Sequence, residues 1–422
     1  MDLFPAVNGE KQMEISGARC ARGPQESVCS SIQITDGRVT RILNASTPSL
    51  PTSDRVEIDL SGFLIMPGLV NAHDHLEFAL FPRLADPPYL NYIDWGEDIH
   101  KKFPEVIAKH RAVPKEVRVW WGGIRNLLCG VTTVSHHNPL RPEMTRPDFP
   151  VKVVPEYGWG HSVALGGDLR AARAGTPRGR AFIVHACEGV DELAREELRA
   201  LDRLGLLDSS AVLVHGLAID RDGAALMRER RASLIVCPSS NYFLFGKLPD
   251  IFLLGRIENL ALGNDSPLTA EGDLLDEVRF ATRECKLPSQ TVYRMVTTAP
   301  ATVLRLEDAE GSIEESGAAD LIAVRDTGQH AADRLVALSM TDVEFVMVAG
   351  HIQLVSEAIL ERLPLSARQG LEQMSVDGAV RWLRAPVKEL LGKTEEVLGE
   401  GEVRLGSRTI RIPAGVEAGD AC

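Results

Sequence analysis

Apolar and polar positions along this chain fall into two rhythms. Near the N-terminus they alternate with period two: Ile32, Ile34, Val39 and Ile42 flank an Asp36-Gly37 turn, the signature of a β-hairpin. The same alternation returns from about 311 to 355, where Asp320–Val324, Phe345–Val348, an Ala349-Gly350 turn and Ile352–Val355 follow one another. These outer segments, 1–62 and 311–355, predict one small composite β-sandwich built from both sides of the chain. Between them, residues 63–310 alternate strand-like runs with helical ones such as Asp191–Leu206, which predicts a barrel of parallel strands. The runs lie at 63–70, 131–135, 151–156, 181–186, 211–215, 233–237 and 259–264, one fewer than an eight-stranded barrel needs. The span from Val134 to Val151 is short and holds Pro139, Pro142, Pro147 and Pro150. Either one βα unit is reduced or missing, or a strand lies hidden near Trp159–Val163. The expected class is therefore α/β: a (β/α)8 TIM-like barrel, with or without one reduced unit, plus the small β-sandwich. The remainder, 356–422, reads as helical to about Leu398 and then as strand at Val403, Leu405, Ile410 and Ile412, either packed on the barrel or serving a homodimer contact.

Size and composition fit this division. The 422 residues exceed one simple core and suit a barrel of about 250 residues plus a smaller domain. Apolar residues make up 44% and charged ones 25%, ordinary for a globular chain. A net charge of −13 without a Lys/Arg-rich patch argues against a nucleic-acid partner. Seven scattered cysteines, at 20, 29, 129, 187, 237, 285 and 422, form no Cys-x-x-Cys and suit reduced thiols in the cytoplasm. The start MDLFPAVNGEKQ has neither a basic stretch nor a long apolar run, and no segment nears the ~18 apolar residues of a membrane span. The expected partner is a small-molecule substrate.

The candidate chemistry sits at the ends of the strand-like runs. FLIMPGLV leads to His73 and His75, AFIV to His185, AVLV to His215 and LALGN to Asp265. His73 and His75, two apart on an extended segment, share a face and can reach one ion; Asp74 points the other way, to a structural role. Imidazoles and a carboxylate collected at one rim of a barrel describe a metal site. His73, His75, His185 and Asp265 are the expected ligands. With a water they fill an open five-coordinate site suited to Zn²⁺ or Fe²⁺. Glu188, three after His185, either carries protons beside the substrate or caps the helix that follows. Asp265 both touches the ion and accepts a proton from water, and His215 either binds the ion or hydrogen-bonds the nucleophile.

Taken together, MPGLVNAHDHLEF, VHACEG, VLVHGLAID, IVCPSSNYFLFGKLP, LGNDSP and GSIEESGAADLIAV resemble the amidohydrolase superfamily. They resemble in particular its branch of cytosine-, guanine- and S-adenosylhomocysteine-deaminase-like enzymes and triazine hydrolases. The resemblance covers roughly residues 20–355. It implies one divalent metal on His73, His75, His185 and Asp265, with Glu188 protonating a ring nitrogen or leaving group. It also implies that His215 orients the nucleophile and Asp265 takes its proton. The implied activity is hydrolytic deamination of an amino-substituted N-heterocycle. Amide, deacetylase-type or triazine-type hydrolysis is the alternative within the superfamily, and a non-catalytic barrel scaffold the alternative outside it. Rim logic adds Glu77, His136, Trp159, His161 and Asn241 as candidate pocket residues. Two metals bridged by Glu156, or by a modified Lys152, are the rival to a single ion.

Overall fold

A computed structural model describes residues 12–44, 55–270 and 272–413. The N-terminal stretch read above for a leader and Cys422 lie outside the described residues. Eight parallel strands form the barrel among the described residues: β1 (Leu69–Asp74), β2 (Val131–His136), β3 (Lys152–Val153), β4 (Gly158–Ser162), β5 (Phe182–Ala186), β6 (Ala211–His215), β7 (Ser233–Val236) and β8 (Leu260–Leu262). The first three pair in order, as do β4 to β8, and a parallel bridge from Asp74 to Asp265 returns the end of the chain of strands to β1. The missing run is thus found at Gly158–Ser162. Two glycines and a polar His-Ser end hide it from a hydrophobic scan. The compressed region is also real. Between β2 and β3 only a 3-10 turn at Pro142–Thr145 intervenes, and β3 is two residues long.

The run at 63–70 is two elements rather than one. Phe63–Pro67 belongs to the outer sheet, pairing antiparallel with Leu321–Arg325, and Gly68 breaks it from β1. The Asp36-Gly37 hairpin forms, with both residues at positive φ, as does the one turning at Ala349-Gly350. The segment from 356 is less helical than its pattern predicts. Glu372–Val376 and Ala379–Leu383 are a hairpin about Asp377-Gly378, both at positive φ, and it extends the outer sheet past His351–Val355. Strands then follow at Arg404–Leu405 and Arg408–Arg411.

Strand alternation explains where the core lies. Along β5, Ile183 belongs to the apolar filling of the barrel with Val70, Ala72, Val212, Val214, Ile235 and Ala261. Phe182, Val184 and Ala186 face the surrounding helices. His185, two after Ile183, falls on the inward side. The helices that matter below are α1 (Tyr92–Lys102), α2 (Lys115–Leu128), α3 (Glu192–Arg203), α4 (Pro238–Phe245) and α5 (Leu274–Arg283).

Candidate metal centre

The C-terminal ends of β1, β5 and β8 bring His73, His75, His185 and Asp265 together. The three histidines each offer a ring nitrogen within 4.8 Å of the others. His73 Nε2 stands 3.2 Å from His185 Nε2, and Asp265 Oδ1 lies 3.8 Å from His73 Nε2 and 3.6 Å from His75 Nε2. The register of β1 against β2 shifts between Asn71 and Asp74, a bulge of the kind that re-aims side chains at a site. Close approach of β8 to β1 depends on Gly263: a Cβ there would lie 2.6 Å from His73 Cβ and 2.8 Å from its backbone nitrogen. Asp265 itself is held at φ +55° by its N–H, which donates to His73 O at 3.1 Å.

Hydrogen bonds fix which ring nitrogens carry lone pairs. His185 Nδ1 is 2.8 Å from His161 O; a carbonyl only accepts, so Nδ1 holds the proton and Nε2 is free. His73 Nε2 faces that lone pair. Burial and the neighbouring imidazoles push the pKa of both His73 and His185 well below the usual histidine value. Two imidazole nitrogens 3.2 Å apart with a carboxylate alongside have the spacing of ligands around one ion. Ligand nitrogens about 2.0–2.1 Å from a zinc ion stand a little over 3 Å from each other. His73 Nδ1 has no partner among the described residues although it is buried. The donor set therefore fits a divalent cation. Asp265 Oδ2 is occupied by Ser240 Oγ (2.8 Å) and Thr269 Oγ1 (3.0 Å), leaving Oδ1 toward the histidines.

Glu188 and His215 stand next to this cluster. His215, at φ +78° where β6 ends, has its Nδ1 3.0 Å from Asn241 Oδ1 on α4, which leaves Nε2 3.5 Å from Glu188 Oε2. Burial, then Asp265 and Glu197, hold the Glu188 carboxyl well above the ordinary carboxylate range. A carboxyl whose pKa is raised, set beside an imidazole, can donate or store a proton.

The other candidate residues divide. His161 packs its ring 5.0 Å from that of His185, and Asn241 supports His215 with its amide nitrogen buried and unpartnered. Trp159, half-buried, sits 5.5 Å from His137. His136 turns away: its Nδ1 accepts from Leu76 N, and its Nε2 faces Glu77 at 3.4 Å. Its neighbour His137 takes the place beside the cluster, 4.2 Å from His185 and 5.1 Å from His73 by ring centroids. Glu77 lies behind His75 with Lys115 and Asn138; the Asn138 amide nitrogen is 3.0 Å from Glu77 Oε1 and 3.2 Å from His75 Nδ1. Glu156 is exposed and paired with Arg180, while Lys152 is paired with Glu310 and Asp320. Neither reaches the cluster.

Sequence reasoning did not find the frame behind the ligands. Asp74, between the two histidines, is fully buried against Arg125 (2.5 Å) and Asn126 (2.6 Å) of α2, and Arg125 also donates to Gly272 O at 2.6 Å. The available signal was Arg125 and Asn126 on the apolar face of an otherwise amphipathic helix.

The sequence profile of the amidohydrolase family matches residues 171–355. A 5-methylthioadenosine/S-adenosylhomocysteine deaminase of Saccharophagus degradans is 26% identical over 365 residues, covering 70% of this chain and 78% of the relative. An imidazolonepropionase of Thermoplasma acidophilum is 22% identical over 373 residues, covering 76% and 89%. Among solved structures, an adenosine deaminase from Xanthomonas campestris with bound zinc superposes with a TM-score of 0.64 at 20% identity, over 91% of this chain and 97% of that one. A zinc complex of atrazine chlorohydrolase from Arthrobacter aurescens superposes with a TM-score of 0.68 at 16% identity, over 91% and 99%. At these identities the two structures speak for the fold alone. With the family profile across residues 171–355 and the His-x-His and His-x-x-Glu strands in order, the chain is similar to the amidohydrolase family.

Proposed function

We propose that this chain is a metal-dependent amidohydrolase that hydrolytically deaminates an amino-substituted N-heterocycle. One observation carries the reading: three imidazoles and a carboxylate converge beside the buried carboxyl of Glu188. His73, His75 and His185 through their ring nitrogens, and Asp265 through Oδ1, would hold one divalent cation, Zn²⁺ or Fe²⁺. Such an ion supplies Lewis acidity that lowers the pKa of water enough to make a nucleophile at neutral pH. The positions of Lys152 and Glu156 support one ion over a bridged pair.

The protein's own groups then manage protons and geometry. Asp265, its carboxylate steadied at Oδ2 by Ser240 and Thr269, accepts a proton from the attacking water. His215, its Nδ1–H anchored on Asn241, presents the Nε2 lone pair that orients the water. Glu188 delivers its proton to the ring nitrogen beside the carbon under attack, so that carbon becomes tetrahedral without negative charge building on the ring. Collapse breaks the exocyclic C–N bond. The amine leaves as ammonia carrying the proton that Asp265 took from water, the new hydroxyl returns its remaining proton to Glu188, and the ring keeps the oxygen as a carbonyl. His137, His161 and Trp159 form the wall beside His185.

A second reading, hydrolysis of a ring amide, takes support from the imidazolonepropionase relative, which covers more of the chain than the Saccharophagus deaminase does. In both readings the barrel strands β1 to β8 carry the chemistry, framed by the outer sheet, which takes in Phe63–Pro67 and the hairpin of the extension. Ammonia release across a panel of aminopurines, aminopyrimidines and aminotriazines, with bound metal counted in the same sample, tests the proposal. Release from at least one ring class at about one ion per chain is expected. Ring opening without ammonia favours the second reading, and no hydrolysis by metal-loaded protein removes both.

A further inference from the structure

The turn that carries Glu188 is held from both sides by groups with no part in the mechanism above. After β5, Cys187 sits at φ +57°, a left-handed conformation that costs a residue with a Cβ about 1–2 kcal/mol. Glu197 lies on the inward stripe of α3 with Ala194, Leu198 and Leu201, where an apolar residue would serve packing better. Its Oε2 accepts from Cys187 N at 2.7 Å. Its Oε1 accepts from the Tyr92 hydroxyl at 2.8 Å. Tyr92, the first residue of α1, returns a bond to the same turn: its backbone N–H donates to Glu188 O at 3.2 Å. The flanking residues continue this pairing. Asn91 bridges Gly189 in antiparallel fashion, Val190 N donates to Leu90 O at 2.8 Å, and Asn91 Nδ2 donates to Asp191 at 2.7 Å. The approach is close enough that a Cβ on Gly189 would lie 2.6 Å from Leu90 O. The turn is therefore bonded on both sides of Glu188, at the Cys187 N–H by α3 and at the Glu188 C=O by α1.

We propose that Glu197, cross-linked by Tyr92, is a positioning residue that holds the strained 187–189 turn so that the Glu188 carboxyl faces His215 and the substrate. The inference rests on the proton-carrying role given to Glu188 above. A charged side chain on an apolar helix stripe weakens the fold unless it does something there. Here it satisfies the Cys187 N–H of the strained turn, and through the Tyr92 hydroxyl it ties a rim segment to that turn.

The test compares Glu197→Gln, Tyr92→Phe and Glu188→Gln with the wild type, all metal-loaded, on whichever amino-heterocycle releases ammonia. Glu197→Gln keeps one acceptor oxygen in place of two, so at constant size it can no longer accept from both the Cys187 N–H and the Tyr92 hydroxyl. Expected is a kcat lower by ~10- to 100-fold, the scale of small misplacements of a reacting group. KM and metal per chain should stay within about twofold, and amide hydrogen exchange should quicken in the 186–190 segment. Tyr92→Phe, which keeps the ring packing, should lower kcat in the same direction with KM unchanged. Wild-type kcat in both variants, while Glu188→Gln is inactive, overturns the positioning role and leaves Glu188 in place. A fully active Glu188→Gln overturns both readings at once.

Discussion

Replacing Arg125 with Met probes the frame that sets the His73/His75 pair. Arg125 is 2% exposed and Asp74 fully buried, and their 2.5 Å ion pair is accompanied by a bond from Arg125 to Gly272 O and one from Asn126 to Asp74. Removing one partner of such a pair leaves an uncompensated buried charge, a loss of about 3–5 kcal/mol. Unfolding entropy of about 2 cal/mol/K per residue over the 422 residues makes that roughly a 3–6 °C fall in the thermal midpoint if the chain melts as one unit. The same change frees the backbone of both ligand segments, because Arg125 ties Asp74 to the loop after Asp265. Zinc affinity should fall with it, by ~10- to 100-fold as for groups that orient metal ligands. The assay is a double-mutant cycle of Arg125→Met, Asp74→Asn and the pair, followed by calorimetry and by zinc competition with a chelator. The pair should cost less than the sum of the singles, since the double variant leaves no lone charge. Additive singles, or an Arg125→Met protein that melts within 1 °C of wild type, refute the clamp.

Glu188→Gln should cut turnover ~10²-fold or more with metal still bound, the loss of a positioned proton donor, and near-normal turnover removes Glu188 from the chemistry. Gly263→Ala should weaken zinc binding by ~10- to 100-fold, because the new methyl group meets His73 from Cβ to backbone; unchanged affinity shows that β8 can yield. Burial pushes the Glu197 carboxyl up to about 7, from 4.5 when exposed. A raised folded-state value means the folded chain binds the extra proton between those two values, so this group's contribution falls as pH rises through the window. Melting curves of wild type minus Glu197→Gln should slope downward from about pH 4.5 to 7, and a flat difference contradicts the assignment.

Much of this protein was legible because period-two alternation and polar strand ends coincide. The Asp36-Gly37 and Ala349-Gly350 hairpins, the βα rhythm and the sites of His73, His75, His185 and Asp265 follow from residue order alone. β4 escaped because Gly158, Gly160, His161 and Ser162 give it no apolar run, so only its pairing to β5 reveals it. The hairpin at Asp377-Gly378 escaped because the mixed polar sequence on each side, Glu372–Val376 and Ala379–Leu383, was read with the helical tail around it. At the site, residue spacing could not decide between His136 and His137, since adjacent residues take opposite faces and a bulge shifts which face is inward. Arg125, Asn138 and Glu197 act on the site from a neighbouring helix or loop, and contacts of that kind have no signature in local spacing.

Metal binding by the His73 variant reaches the centre of the account. Wild type and His73→Ala should be dialysed to equilibrium against zinc and counted by mass spectrometry. Three imidazoles and one carboxylate sharing a cation predict close to one zinc per wild-type chain, and little or none, with no turnover, in the variant. A His73→Ala protein that keeps its zinc and its activity would contradict it.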